Sequence, residues 1–447
     1  MRRWALIIVA IAVTSAALAA PAAGQQVFVF EGRGYGHGVG LSQHGARGAA
    51  DAGWDARRIL AHYYRGTVLS PVPAREVRVQ LRPASASVTV GGDGLTASGP
   101  GLPATPLPAA VTATIRGGDV VLDGPGGAEL AAGSELVVTT TDRATTLDGD
   151  AYRGVLHLSR TGTSRVRVLN RLDLEEYLYG VVPREVPALW PVQALRAQAI
   201  AARSYAIGQL RPDRDFDVHP DTRSQVYGGR DAEHPRTNAA VDATRAQAVT
   251  HDGSVVTTFF HASSGGHTES VENVWSSEPR PYLVGVPDPF DVAVSPHRRW
   301  SDPPRFTGAE LAERLGLDAP VNGVEVLERG VSPRVRRARI TTDDGRATVV
   351  SGATLRARLG LRDTWFAVNG EPPSGPDSAS APVPAQPTAP VRYIAYAAAP
   401  AALRRARSIE RRLRGLGKDV VLVRRRVGAS RRFLVVTGHF RVLANAR

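Results

Sequence analysis

The chain of 447 residues has no cysteine, one methionine and a single lysine, Lys418. Without cysteine there are no disulfides, thiolate zinc sites, iron–sulfur clusters, cysteine nucleophiles or anchors on an N-terminal cysteine. Long apolar runs are absent too, apart from one near the start, which argues against a multi-span membrane protein. An excess of one charge is missing from most of the chain, although the formal net charge is +13. Residues 391–447 carry 15 Arg and Lys against 2 Asp and Glu, so the whole excess sits there and the other 390 residues hold 40 of each sign. What remains is ordinary globular material: 43% hydrophobic and 22% charged residues exclude wholesale disorder. At about 150 residues per domain, two or three domains are expected. The chain is rich in Ala, Arg and Gly throughout, as a GC-rich coding sequence would produce, so its arginines are partly compositional.

Met1-Arg2-Arg3, the apolar run Trp4 to Ala20 and the small residues up to Gly24 have the order of a signal peptide. An uncleaved anchor is the alternative, although the run is slightly short for the ~20 residues of a span and rich in weakly apolar alanine. The expectation is an exported, secreted or wall-associated bacterial protein whose fold begins near Gln25, with no stable membrane span after cleavage.

Along the chain, residues 27–67 open on a strand-like Val27 to Phe30, cross a glycine-rich stretch and close on a helix over Ala56 to Tyr64. Residues 76–170 alternate short β-type runs with Gly, Pro and Asp turns, a β-rich part. From 171 to 368 the period turns helical, then mixed, with a helix near Gly308 to Leu315. Residues 371–390 are a Pro/Ser/Ala linker, and 391–447 form a separate basic module. The predicted fold class is α+β: a mixed, β-rich domain with a few helices over 27–368, and a small βαββ module after the linker.

Two stretches carry candidate chemistry. Gly32, Gly34, Gly36, Gly38 and Gly40 recur at every second residue, which on an extended chain leaves one face as bare backbone that another strand or a flat ligand can approach, with Tyr35 and His37 on the other face. A phosphate loop is excluded because no Gly-Lys-Ser/Thr follows, and a dinucleotide loop because no βαβ unit surrounds it. A purely structural strand remains the alternative, against which Ser42-Gln43-His44 add polar side chains at the ladder's end.

The second stretch precedes a helix that starts near Pro191, with Val192, Leu195, Ala199, Ala202, Ala206 and Leu210 on one face. Glu185 stands there among two prolines, two valines and a tryptophan, surroundings that desolvate a carboxyl and raise its pKa, as acid catalysis on a sugar oxygen requires. The positive end of the following helix would oppose the shift. Asp173 and Glu176 have capping-box spacing and are assigned to structure.

The run from Asn170 to Ala206, NRLDLEEYLYGVVPREVPALWPVQALRAQAIAARSYA, resembles the core of the SpoIID/LytB family, stage II sporulation protein D and amidase-enhancer relatives. Ser224 to Gly229, Phe259 to Thr268, Tyr282 to Val286 with Asp288 and Asp291, and the glycine ladder through Ala46 followed by ILAHYYRGT match in the same way, over about residues 27–368. The resemblance implies a lytic transglycosylase that cuts peptidoglycan strands, preferably those stripped of stem peptides, with Glu185 as the catalytic acid/base. Because the muramic acid's own C6 hydroxyl attacks C1 in lytic cleavage, one carboxyl suffices where a hydrolase needs two. His37, Gln43, Gln225, Tyr227, Ser263, Ser264 and His267 match positions expected in the glycan cleft, each with a structural role as its alternative. The family name also implies a second function, a non-catalytic enhancer of a cell-wall amidase, and a weaker third reading is a basic surface-binding protein on a β-rich scaffold.

Two departures stand out. The GHGVG-SQ-GA segment closes the domain in the usual family order but comes first here, as in a circular permutation, so the strand from Val27 is expected to pair near Phe366. Some relatives bind zinc with Cys and His in the stretch corresponding to 217–225, where this chain offers only His219; no metal and no cofactor are expected. The tail, with strands around 392–396, 420–423 and 433–436, a helix over 401–416 and a closing Gly438-His439-Phe440, resembles a SPOR domain, a glycan-binding module. Binding of teichoic acid or anionic lipid by the arginines is the alternative; nucleic acid is disfavoured by the signal peptide and by the lack of interleaved aromatics.

Overall fold

The structure, a computed structural model, describes residues 26–370 and the backbone of three later strands, Tyr393–Ala398, Val420–Val427 and Ser430–Thr437. The signal-peptide segment, the linker 371–390, the expected tail helix and the Gly438-His439-Phe440 motif lie outside the described residues. The fold is α+β.

Residues 76–173 fold into two six-stranded antiparallel sheets around one core. One sheet runs in the order Glu76–Gln80, Arg165–Asp173, Val155–Thr161, Glu135–Thr139, Thr96–Gly99, Leu102–Pro106; the other runs Glu129–Gly133, Asp119–Asp123, Ala110–Arg116, Ser87–Gly91, Thr145–Leu147, Asp150–Tyr152. Inward residues alternate with outward ones, as in the buried pairs Val77 and Val79, Leu136 and Val138, and Leu156 and Leu158. Each such side chain contributes about 1.5–3 kcal/mol on burial. The strands expected from apolar runs are present. Six more, Thr96–Gly99, Leu102–Pro106, Ala110–Arg116, Glu129–Gly133, Thr145–Leu147 and Asp150–Tyr152, lie outside those runs and become strands through pairing within the two sheets.

Four helices frame the site. Helix α1 (Gln43–Asp51) starts on Ser42, whose hydroxyl accepts from the Gly45 N–H, and α2 (Ala56–Tyr63) starts on Asp55. Helix α3 (Leu174–Glu185) starts on Asp173, which accepts from the Glu175 N–H. The reciprocal half of the expected capping box is not found: Glu176 instead faces Arg153 at 3.8 Å. Helix α4 (Val192–Gln209) begins after Pro191, as the sequence predicts.

Its burial differs from the expectation of one apolar face. Val192 is exposed, and from Ala194 to Ala206 nearly every residue is buried. Leu195, Ala199, Ala202 and Ala206 pack into the sandwich core, while Ala197, Ile200 and Ala201 pack into a second core with α1 and α2. Alanine on every side lets elements approach α4 all round, and Arg203, fully buried, is held by Glu175 of α3 with Nε at 2.9 Å from Oε1.

Five more helices follow among the described residues: α5 (Pro235–Asp242), α6 (Val271–Trp275), α7 (Pro289–Val294), α8 (Gly308–Leu315) and α9 (Gly352–Leu359). Helices α8 and α9 enclose a third core with the strand Val27–Gly32, which lies antiparallel between Arg305–Thr307 and Phe366–Val368. Its register sets Phe30 opposite Val368 and Gly32 opposite Phe366. The pairing near Phe366 is therefore present, and it brings the two ends of the domain together.

In the tail the three strands form one antiparallel sheet with Ser430–Thr437 in the middle. No helix among the described residues is long and apolar enough to cross a membrane.

Candidate active site

The glycine ladder is not the extended strand expected from its alternation. The strand ends at Gly32, and Gly34, Gly36, Gly38 and Gly40 have φ of 78°, 129°, 82° and 70°. Here the missing side chains matter. A Cβ on Gly34 would lie 2.4 Å from Asp363 Oδ2, on Gly38 2.3 Å from Arg334 Nε, and on Gly40 2.2 Å from the Phe259 carbonyl. The bare face is thus occupied by the protein itself. Leu41–Ser42 pairs in parallel with Phe260–His261, and Tyr35 bridges Ser263, so the ladder is stitched to the SSGG loop.

Buried ionic groups fasten that junction. Asp291 accepts from the hydroxyls of Ser42 and Ser263, each at 2.9 Å, and from the Ser264 and Gly265 N–H groups. Asp288 accepts from the Ser264 hydroxyl at 2.8 Å. Burial raises the pKa of both carboxyls, and at Asp291 the adjacent Asp288 adds to it. Arg334, fully buried, forms a two-pronged pair with Asp363 at 2.9 Å on each prong and donates to the Ser264 and His267 carbonyls. Ser263, Ser264 and His267 are all buried, and the His267 Nδ1 lies 2.6 Å from the Thr268 carbonyl. These three side chains are committed to internal bonds.

Glu185 is the last residue of α3 and partly buried. Its Oε2 accepts from the Gln43 side-chain amide and its Oε1 from the Val226 N–H, both at 3.3 Å. Burial pushes its pKa up; the two donors pull it back, and no charged side chain contributes. Glu185 closes α3, where the negative end of the helix dipole disfavours a carboxylate.

Gln225 and Tyr227 flank the donor Val226. Gln225 accepts from the Tyr177 hydroxyl and donates to the Ala202 carbonyl, each at 3.3 Å, and the Tyr227 hydroxyl donates to Asn170 Oδ1 at 2.9 Å. Both side chains point into the core and anchor the loop that presents the Val226 N–H. His37 is placed elsewhere, against Trp275 and His261 with ring centroids 5.0 and 5.4 Å away. Burial first, and then Arg356, lower its pKa to about 3.

Three further residues surround the Gln43–Glu185 pair without having been assigned a site role from the sequence. His44, next to Gln43, sits 5.0 Å from the ring of Trp190, and His297 lies between His44 at 5.9 Å and Tyr35 at 4.9 Å. Burial, and then the nearby Glu185, raise the pKa of the Tyr205 hydroxyl. His44 lay inside a matched motif but His297 did not, and no spacing links positions so far apart. Among the described residues no group of three His, Asp or Glu is placed to hold a metal ion.

Residues 162–251 match the family model described as SpoIID, stage II sporulation protein. That span contains Glu185, Gln225 and Tyr227, whereas His37, Gln43 and the SSGG loop lie outside it. The chain is similar to an uncharacterised protein of Brachyspira hyodysenteriae, 38% identical over 35% of this chain and 43% of that one. It is also similar to the amidase enhancer of Bacillus subtilis, 38% identical over 35% of this chain and 21% of the relative, and to that organism's stage II sporulation protein D, 27% identical over 44% and 61%. The matches thus span less than two thirds of each relative's length.

Proposed function

The chain belongs to the SpoIID/LytB family, and on that premise we propose that it is an exported peptidoglycan lytic transglycosylase in which Glu185 is the single acid/base. The supporting observation is the state of that carboxyl: its pKa is raised by burial and touched by no second charge. A retaining hydrolase needs another carboxylate about 5–5.5 Å away, and such a neighbour would add a like-charge contribution to the shift.

In this reading protonated Glu185 donates to the glycosidic oxygen between N-acetylmuramic acid and N-acetylglucosamine. The C6 hydroxyl of the muramic acid attacks its own C1, the carboxylate takes that hydroxyl's proton, and a 1,6-anhydro end forms with Glu185 protonated again. Gln43 and the Val226 N–H steady the carboxylate between the two transfers, and Gln225 and Tyr227 position the Val226 loop. Ser263 and Ser264 act one layer back, holding Ser42 directly or through Asp291 and with it the start of α1, which carries Gln43, while His267 is bonded to the Thr268 carbonyl. The ladder's place at the front of the chain is consistent with a circular permutation. The basic tail is a SPOR-like module that holds the enzyme on the same strands.

The amidase-enhancer relative supports a second reading, in which the chain binds peptidoglycan and stimulates a cell-wall amidase without cutting glycan. Anhydro-muramyl ends released from stripped strands by the wild type but not by Glu185→Gln support the first. Their absence from both proteins, together with a faster amidase, supports the second.

A further inference from the structure

Between α6 and α9, two cavities of about 300 and 320 Å³ share Val274, Trp275, Ala353 and Thr364 as walls, and so form one groove. His37 and Arg356 line the first cavity. Most charged groups along the groove are already satisfied. Arg334 is paired with Asp363, Arg336 donates to Glu328 at 2.5 Å, and Glu269 accepts from Asn273, Ser332 and backbone N–H groups. Two guanidiniums of the groove, those of Arg337 and Arg356, make no hydrogen bond or ion pair among the described residues; Arg337 is exposed to solvent, whereas Arg356, in the first cavity, is only partly exposed. Beside it stands the indole of Trp275, 43% exposed.

A line of aromatic rings leads from the groove toward Glu185. Ring centroids step from Tyr205 to Phe259 at 6.0 Å, to Trp275 at 4.6 Å and to His37 at 5.0 Å, and Tyr205, like Tyr177, lies within electrostatic reach of Glu185. His37 and Gln43 are six residues apart on one segment, so their Cα atoms lie within roughly 20 Å of each other. An elongated, ring-shaped ligand could run along this line.

A partly exposed guanidinium with no carboxylate at ion-pair distance is matched by a planar anion gripped at two points, and an exposed indole offers its face to a sugar ring. We propose that the groove is a carboxylate-recognition subsite, in which Arg356 binds the free lactyl carboxylate of a muramic acid unit while Trp275 packs against its sugar ring. This rests on the glycan-cleaving reading and assigns a residue to the preference for stripped strands that the resemblance implies. A muramic acid that still bears its stem peptide has an amide where the stripped unit has a carboxylate, and offers Arg356 no charge. Arg356 thereby favours strands from which an amidase has already removed the peptides.

The test measures calorimetric Kd values at moderate salt for the full chain carrying Glu185→Gln, which leaves the ligand intact. The probes are a stripped N-acetylglucosamine–N-acetylmuramic acid oligosaccharide and the same oligosaccharide with its lactyl groups converted to methylamides. The carboxylate form should bind on the order of tenfold more tightly, and adding Arg356→Ala should erase that preference, with Arg356→Lys retaining part of it. Equal Kd values for the two ligands, or an Arg356→Ala loss of the same size on both, would overturn the subsite while leaving the glycan reading intact. Failure of both oligosaccharides to bind would overturn both readings. Trp275→Ala should weaken both ligands alike.

Discussion

The side-chain amide of Gln43 donates to the carboxylate of Glu185 at 3.3 Å across 142 positions of sequence. This bond joins the ladder segment to the segment carrying the acid, and it favours the charged form of Glu185. Replacing Gln43 with Ala removes a donor to the carboxylate, so the pKa of Glu185 should rise further. Because the reaction begins with protonated Glu185, activity is lost as pH rises through that pKa. The alkaline limb of the kcat/KM profile should therefore move to higher pH in Gln43→Ala, and movement to lower pH would contradict the assignment.

The ladder predicts a graded response to alanine. Gly38 combines φ of 82° with a Cβ position 2.3 Å from buried Arg334, whereas Gly53 combines φ of 87° with open space. Gly53→Ala should cost about 1–2 kcal/mol, the backbone penalty alone. Gly38→Ala adds a steric clash and should cost more than about 3 kcal/mol. Urea unfolding of the two variants measures the difference, and equal costs would show that the ladder is not packed as described.

Asp363 and Arg334 are both buried, and Arg334 also holds the Ser264 and His267 carbonyls. Asp363→Ala leaves an uncompensated buried guanidinium and should destabilise the fold by about 3–5 kcal/mol. A loss below about 1 kcal/mol in chemical denaturation would mean that water or another group reaches the charge.

His37 predicts an acid-sensitive component of stability. Its folded pKa of about 3 lies below the ordinary 6.5, so between these values the unfolded chain binds the extra proton. That contribution is complete above pH 6.5 and falls as pH drops toward 3, by up to about 1.4 kcal/mol per unit. The raised carboxyls Asp288 and Asp291 slope the opposite way but are common to both proteins compared. His37→Gln should therefore lose less stability than the wild type between pH 6.5 and 4; parallel curves would show that His37 protonates freely in the fold.

What the sequence made legible followed from local physics. The α4 start at Pro191, the alternating Val and Leu of the longer strands and the desolvated setting of Glu185 are each set by neighbours in the chain. The ladder was misread because alternate glycines suit an extended strand as well as a run of left-handed turns, and only Asp363, Arg334 and Phe259, distant in sequence, decide between them. Gln225 and Tyr227 carried a motif but not a direction: their inward turn depends on Tyr177, Ala202 and Asn170. Arg356 and Trp275 belong to none of the motifs singled out, and their proximity emerges only once α6 and α9 are packed.

The most direct test is mass spectrometry of the products that the full chain releases from peptide-stripped glycan, wild type beside Glu185→Gln. Glu185→Gln keeps the shape of the side chain and removes its acid, so it should still sediment with cell walls while anhydro-muramyl ends disappear. Anhydro ends formed at an undiminished rate by Glu185→Gln, or reducing ends formed by the wild type in their place, would contradict the account.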